Sequence, residues 1–261
     1  PSAYSRAFRL FYNTVIPIVL ARATHVFTVS ASEEKSILGH HLRLIDSGRL
    51  TAVQNGGGET AVGMPVSSAL SSLRAGALAV PAEQLRPRMC LYVGSLTKRK
   101  NGEGLVRAAV DLVDGCDVSF VIVGSSGSQF EQLGLDVPDR IRDRIRFLGQ
   151  VNDPVRLEEL YRQARAFVFP SFYEASPLPP VEAMSFGTPV VCSDIPSLRE
   201  RCGDAAVYCD PADVGSIVDA VAGVLADEDV WQDLQHRGLK QAEKFSWERQ
   251  VKAVMDVMVS A

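Results

Sequence analysis

Two glutamates, Glu174 and Glu182, bracket the run Glu174-Ala-Ser-Pro-Leu-Pro-Pro-Val-Glu182. The apolar stretch Ala166-Phe-Val-Phe-Pro170 precedes it and Gly187 follows it. Proline is tolerated at a first helical position and glycine is a natural left-handed cap, so a helix is predicted to open at Pro179 or Pro180 and to end at Gly187. One carboxylate then sits in a strand-to-helix loop and the other inside the helix. The positive end of that helix suits phosphate. Two carboxylates beside an anion site suggest a phosphorylated ligand that also carries hydroxyls. Glu182 follows two prolines and precedes the packed run Ala-Met-Ser-Phe-Gly, so its carboxylate needs a partner. A ribose diol would serve.

A second cluster is Gly94-Ser-Leu-Thr-Lys-Arg-Lys-Asn101. Gly94 lets backbone approach a ligand, Lys98, Arg99 and Lys100 suit a diphosphate, and Asn101 suits a helix cap. Three basic residues in a turn are more often simply solvated. In Phe120-Val-Ile-Val-Gly-Ser-Ser-Gly127 a strand runs into Gly124, but the G-x-G-x-x-G spacing of a dinucleotide site is absent. Ser125 and Ser126 read as an ordinary strand-loop junction. In Leu148-Gly-Gln-Val-Asn-Asp-Pro154, backbone around Gln150 and Val151 could meet a base edge, whereas Asp153 reads as a helix cap. His25, His40, His41 and His236 lie away from strand carboxyl ends and are not candidates for catalysis.

The elements that would position these residues alternate. Strands are expected at His25–Val29, Leu50–Gln54, Met89–Gly94, Val118–Gly124, Ile145–Gly149, Ala166–Phe169, Pro189–Ser193 and Ala206–Cys209, with helices between them. Ser30-Ala-Ser-Glu33 reads as a capping box. Tyr4, Phe8, Phe11 and Val15 form one apolar helical face. Leu105, Ala108, Ala109 and Leu112 form another, and Leu157, Leu160, Tyr161 and Ala164 a third. Continuous apolar strands alternating with helices indicate an α/β chain with a doubly wound parallel sheet, whose ligands bind at strand carboxyl ends.

The 261 residues carry a net charge of -4, which argues against a general nucleic-acid binder. Cys90, Cys116, Cys192, Cys202 and Cys209 are odd in number and lack C-x-x-C spacing, which points to reduced thiols in a cytoplasmic protein rather than a disulfide framework or metal site. The stretch Val15–Val29 is too short and too polar to span a membrane. The chain opens without Met inside an apparent helix, as a fragment or trimmed chain would.

Together, Tyr92-Val-Gly-Ser-Leu-Thr-Lys-Arg-Lys-Asn101, Phe147-Leu-Gly149, Phe169-Pro-Ser-Phe-Tyr-Glu174, Leu178 through Val191 and Phe245-Ser-Trp247 resemble the family-4 retaining glycosyltransferases of the GT-B fold, with two Rossmann-like domains. The resemblance implies a remnant of the acceptor-side domain at 1–58, a connector at 59–88, a donor-binding domain at 89–243 and a C-terminal helix at 244–261. It implies a hexosyltransferase of surface polysaccharide synthesis that uses a GDP- or UDP-hexose, mannose- or rhamnose-like, and a glycan or lipid-linked acceptor. No metal and no cofactor are implied, and no nucleic-acid partner. Peripheral attachment at the inner face of a membrane would come through the absent part of the first domain, without which this piece is expected to be inactive.

Arg99 and Lys100 would hold the diphosphate and Glu174 would contact the donor sugar near the reacting carbon. Backbone near Val151 would read the base, Glu182 would bind the ribose, and amides near Leu178 would help with the phosphates. Gly94, Ser95, Gly124, Gln150, Ser176 and Pro179 complete the expected donor site. In two places the chain departs from the family pattern: Ala175-Ser-Pro177 replaces a common Gly-Phe-Gly, and Ser95 stands where many members have arginine. The alternatives are a nucleotide-sugar-binding module without catalysis and an epimerase or phosphorylase on the same fold.

Overall fold

The computed structural model describes residues 6–41, 43–57, 88–124, 134–135 and 137–260. Helix α1 (Arg6–Arg22) leads into strand β1 (Val26–Thr28), helix α2 (Ala31–His41) and strand β2 (Leu50–Ala52). β1 and β2 pair in parallel, Val26 opposite Leu50. Ser30 caps α2 as expected, with the Glu33 amide donating to Ser30 Oγ at 3.2 Å, while the Glu33 carboxylate accepts from the Tyr173 hydroxyl. Of the apolar face expected on α1, the described side chains are Phe11 and half-buried Val15. Phe11 is 61% exposed, while Leu20 packs with Ile45 and Leu50 and with half-buried Ile16. The small β1–β2 layer offers contact only to that row. Tyr4 and the Phe8 side chain lie outside the described residues, as do Ser125, Ser126 and the expected connector up to residue 87.

The larger sheet comprises β3 (Arg88–Val93), β4 (Val118–Val123), β5 (Ile145–Gly149), β6 (Ala166–Phe169), β7 (Val190–Ser193) and β8 (Ala206–Cys209). Its order is β5-β4-β3-β6-β7-β8, and every pairing is parallel. The connecting helices are α3 (Gly102–Gly115), α4 (Pro154–Gln163), α5 (Pro179–Ser185), α6 (Pro196–Cys202), α7 (Val214–Ala226) and α8 (Glu228–Ala242), and α9 (Trp247–Ser260) ends the chain. Expected strands agree to within one or two residues at their ends.

The sheet is sealed on both faces. Leu91, Phe120, Val121, Phe167 and Val190 are fully buried, and so are Leu105 and Ala109 of α3. Burial of each large apolar side chain contributes about 1.5–3 kcal/mol. Asp153 caps α4 by accepting from the Val155 amide at 3.0 Å, with Pro154 at the first position. The five cysteines are free thiols, and only Cys116 is exposed.

Among the described residues, polar contacts tie the two sheets together. Glu200 of α6 accepts from the Ala31 amide at 2.9 Å and the Ser32 amide at 3.3 Å, and also from the Gln54 side chain. It therefore caps α2 from outside the first sheet. The backbone amide of Gly56 donates to Gln250 of α9 at 3.0 Å, and a Cβ there would come within 2.4 Å of the Trp247 backbone nitrogen. Glycine is required at that crossing.

Candidate functional site

Successive strands run outward in opposite directions from the β3–β6 pair, to β4 and β5 on one side and to β7 and β8 on the other. At such a switch point the loops after the two central strands part and leave a crevice at their carboxyl ends. The loop after β3 carries Arg99 and Lys100, and the loop after β6 carries Glu174.

The first loop is braced from both sides. The Tyr92 hydroxyl donates to the Ser95 carbonyl at 2.8 Å, and the Gly94 amide donates to the Val123 carbonyl at 2.8 Å. Asn101 adopts a left-handed conformation (φ 55°), accepts from the Gly104 amide at 3.2 Å as the cap of α3, and donates to the Pro211 carbonyl at 2.6 Å. Gly124 has φ 93°, and a Cβ would lie 3.0 Å from the Gly94 carbonyl oxygen. Both glycines thus let neighbouring strand ends close on each other.

The second loop docks on the first, with the Phe172 amide donating to the Arg99 carbonyl at 3.0 Å. Arg99 Nη1 donates to the Tyr173 carbonyl at 2.9 Å and to Glu174 Oε2 at 3.0 Å. Lys100 Nζ lies 3.1 Å from Glu174 Oε1 and 4.9 Å from the centroid of the Phe169 ring. Glu174 is only 9% exposed and Lys100 only 15%. The three residues named for chemistry therefore form one cluster of net charge +1, apolar beneath and open to the cleft. Lys98 stands apart, in the wall of an adjoining cavity of about 530 Å³ with Arg107, Phe172 and Val214. Across the cleft, the exposed Tyr173 hydroxyl donates to Glu33 of α2.

Glu182 sits in the first turn of α5, and its Oε2 accepts from the Tyr161 hydroxyl at 2.8 Å. Burial raises the Glu182 carboxyl above its ordinary value, and the Tyr161 hydrogen bond offsets part of that rise. Burial first, and then the Glu182 charge, hold the Tyr161 phenol well above its own ordinary value, so it remains a donor. The partner foreseen for Glu182 was a ligand, whereas the structure supplies a tyrosine of α4.

The stretch between the glutamates is poor in amides. Pro177, Pro179 and Pro180 have none, and the Val181 and Glu182 amides are spent on the Leu178 carbonyl at 2.9 and 3.0 Å. The donors it can offer are the Ala175, Ser176 and Leu178 amides and the Ser176 hydroxyl. Arg201 of α6, 2% exposed, donates to Ser176 Oγ at 3.1 Å and to the Asn55 carbonyl at 2.8 Å. Gln150 is exposed and Val151 half-buried at the end of β5, two strands from β3. Sequence reasoning missed Tyr161 and Arg201 as part of the site. A phenol on an apolar stripe was a signal, since a buried hydroxyl needs a partner.

Among the described residues, no group of three or more His, Cys, Asp or Glu is placed to hold a metal ion. No described helix is long and apolar enough to cross a membrane.

Residues 78–245 match the family model described as glycosyl transferases group 1. The chain is 42% identical over 162 residues to O-antigen chain mannosyltransferase B of Escherichia coli, a stretch covering 60% of this chain and 42% of that protein. It is 25% identical over 226 residues to O-antigen chain mannosyltransferase RfbU of Salmonella typhimurium, covering 86% of this chain and 58% of that one. The chain thus spans about half the length of these curated relatives.

Among solved structures, sucrose-phosphate synthase from Thermosynechococcus elongatus aligns over 99% of this chain and 62% of its own, with a TM-score of 0.76 and 25% identity. HepE of Anabaena, solved with UDP and glucose, aligns over 100% of this chain and 69% of its own, with a TM-score of 0.70 and 16% identity, a likeness of fold alone. The fold is GT-B, as the resemblance implied. With the family model matched over more than half of its length, this chain belongs to the group 1 glycosyl transferases.

Proposed function

We propose that this chain is the donor-binding portion of a retaining glycosyltransferase that moves a hexose, with mannose favoured, from a nucleoside-diphosphate sugar to a glycan or lipid-linked acceptor. The observation that carries this reading is the convergence of Arg99 and Lys100 on Glu174 at the switch point of the sheet. Transfer breaks the bond from the anomeric carbon to the diphosphate oxygen, so negative charge grows on the leaving group. Arg99 and Lys100 would stabilise that charge, an electrostatic contribution made without reorganisation. Positive charge grows on the sugar, where the Glu174 carboxylate opposes it. The acceptor oxygen forms its bond on the face the diphosphate leaves, and a phosphate oxygen takes the acceptor proton.

Glu182, already ordered by Tyr161, would accept from the ribose hydroxyls. Backbone at Gln150 and Val151 would meet the base. The mannose preference rests on the names of the two O-antigen relatives.

Calorimetric titration of the chain with UDP, GDP and ADP, each with and without magnesium, tests this reading. The expected result is binding of one of them that is independent of the metal and lost when Arg99 and Lys100 are both replaced by alanine. Binding indifferent to those two residues would overturn it.

A further inference from the structure

Arg201 is an unusual residue to find buried. Its side chain is 2% exposed, its Nε has no hydrogen-bond partner among the described residues, and no ion pair among them includes it. Its guanidinium carbon lies over the Phe245 ring, 4.6 Å from the centroid, and the Gln241 side-chain amide donates to its backbone carbonyl at 2.7 Å. Burial pulls its pKa down to about 10, outweighing the nearby Glu200 carboxylate, so the group still carries its charge at neutral pH. A buried cation without a counter-ion is costly unless something compensates it. Its two bonded nitrogens reach one target on each side of the cleft, the Asn55 carbonyl at the crossover and Ser176 Oγ in the glutamate loop.

The bond to Ser176 constrains a proton. Because Arg201 donates to Oγ, the serine hydroxyl acts there as acceptor, and its own hydrogen is left to point elsewhere. Ser176 stands two residues after Glu174 in a stretch where Pro177, Pro179 and Pro180 provide no amide. An anion approaching Arg99 and Lys100 would find few backbone donors on this side.

We propose that Arg201 is a positioning residue for the donor diphosphate: it orients the Ser176 hydroxyl to donate to a phosphate oxygen and adds a buried positive charge behind that contact. This rests on the donor-site reading above and names a new pair of residues within it.

The test titrates wild type, Ser176→Ala, Arg201→Met, Arg201→Lys and the Ser176→Ala/Arg201→Met double variant with UDP and GDP, and in parallel with uridine and guanosine. Loss of one hydrogen bond predicts that Ser176→Ala weakens diphosphate binding about fivefold and leaves nucleoside binding unchanged. Arg201→Met should weaken diphosphate binding at least as much, the double variant no further, and Arg201→Lys should recover part of the loss. Ser176→Ala is confined to a half-buried loop hydroxyl and does not depend on tolerance of a change at Arg201. If Ser176→Ala binds the diphosphate as wild type does, or if Arg201→Met weakens nucleoside and diphosphate equally, the proposal is overturned while the Arg99/Lys100 site stands. If wild type binds no diphosphate, both fall.

Discussion

The Glu174 carboxylate lies 3.1 Å from the Lys100 ammonium, and its other oxygen lies 3.0 Å from Arg99. An internal anion therefore pairs with the two cations that a diphosphate would use. Glu174→Gln removes that competitor but keeps the shape. The expected outcome is tighter binding of a nucleoside diphosphate, by about threefold or more given the modest worth of partly exposed ion pairs, together with loss of sugar transfer in the full-length enzyme. Calorimetry and a transfer assay on the same variant check the two halves separately.

Replacement of Arg99 or Lys100 by alanine should act in the opposite direction. Each removes a cation from the site, so diphosphate affinity falls and its dependence on ionic strength flattens. Lys100 should matter more, because it is the less exposed of the two and packs over Phe169. Titrations at two or three salt concentrations give the slopes, and an unchanged slope for the double variant removes both residues from the phosphate site.

Tyr161→Phe should change a pH profile. In the proposed site, ribose hydroxyls would donate to an ionised Glu182. Burial raises that carboxyl above its ordinary 4.5, and the Tyr161 hydrogen bond lowers it. Nucleotide affinity in wild type should therefore fall on acidification from above pH 4.5, and in Tyr161→Phe the fall should begin at a higher pH. The contribution of Glu182 to stability has the opposite sense. The folded carboxyl holds its proton more tightly than the unfolded one, so that contribution is present at acid pH and lost as pH rises through the folded pKa. Affinity measured across pH 4 to 8 for both proteins decides the matter.

Gly124→Ala tests the fold beneath the site. The residue sits at φ 93°, and the added carbon would meet the Gly94 carbonyl at 3.0 Å. Strain and contact together should cost about 1–3 kcal/mol, read as a lower urea midpoint, with weaker diphosphate binding as the loop after β3 is displaced.

Much of this arrangement was legible in the chain, for identifiable reasons. Runs such as Phe120-Val-Ile-Val123 and Ala166-Phe-Val-Phe169 are apolar throughout because both faces of their sheet are covered, and that signal is local. The caps at Ser30, Asn101 and Asp153 were equally local. The pairing of Glu174 with Arg99 and Lys100 was not, because strand order is a property of crossovers and residues some 75 apart meet only once β6 lies beside β3. Arg201 gave no sign at all. In Leu-Arg-Glu-Arg it reads as one more solvated charge, and it is buried only because Asn55 and Phe245 converge on it from distant parts of the chain. Which side of α1 is buried was not legible, because the periodicity of a helix apolar on several sides does not say which side finds a neighbour.

The segment Asn55–Gly56 and the start of α9 touch, with Gly56 lying against Trp247 and Gln250 bonded to both Asn55 and Gly56. Asn55 is thereby held from two directions, by Gln250 on its side chain and by Arg201 on its carbonyl, so a displacement of α9 would be felt at the same guanidinium that holds Ser176.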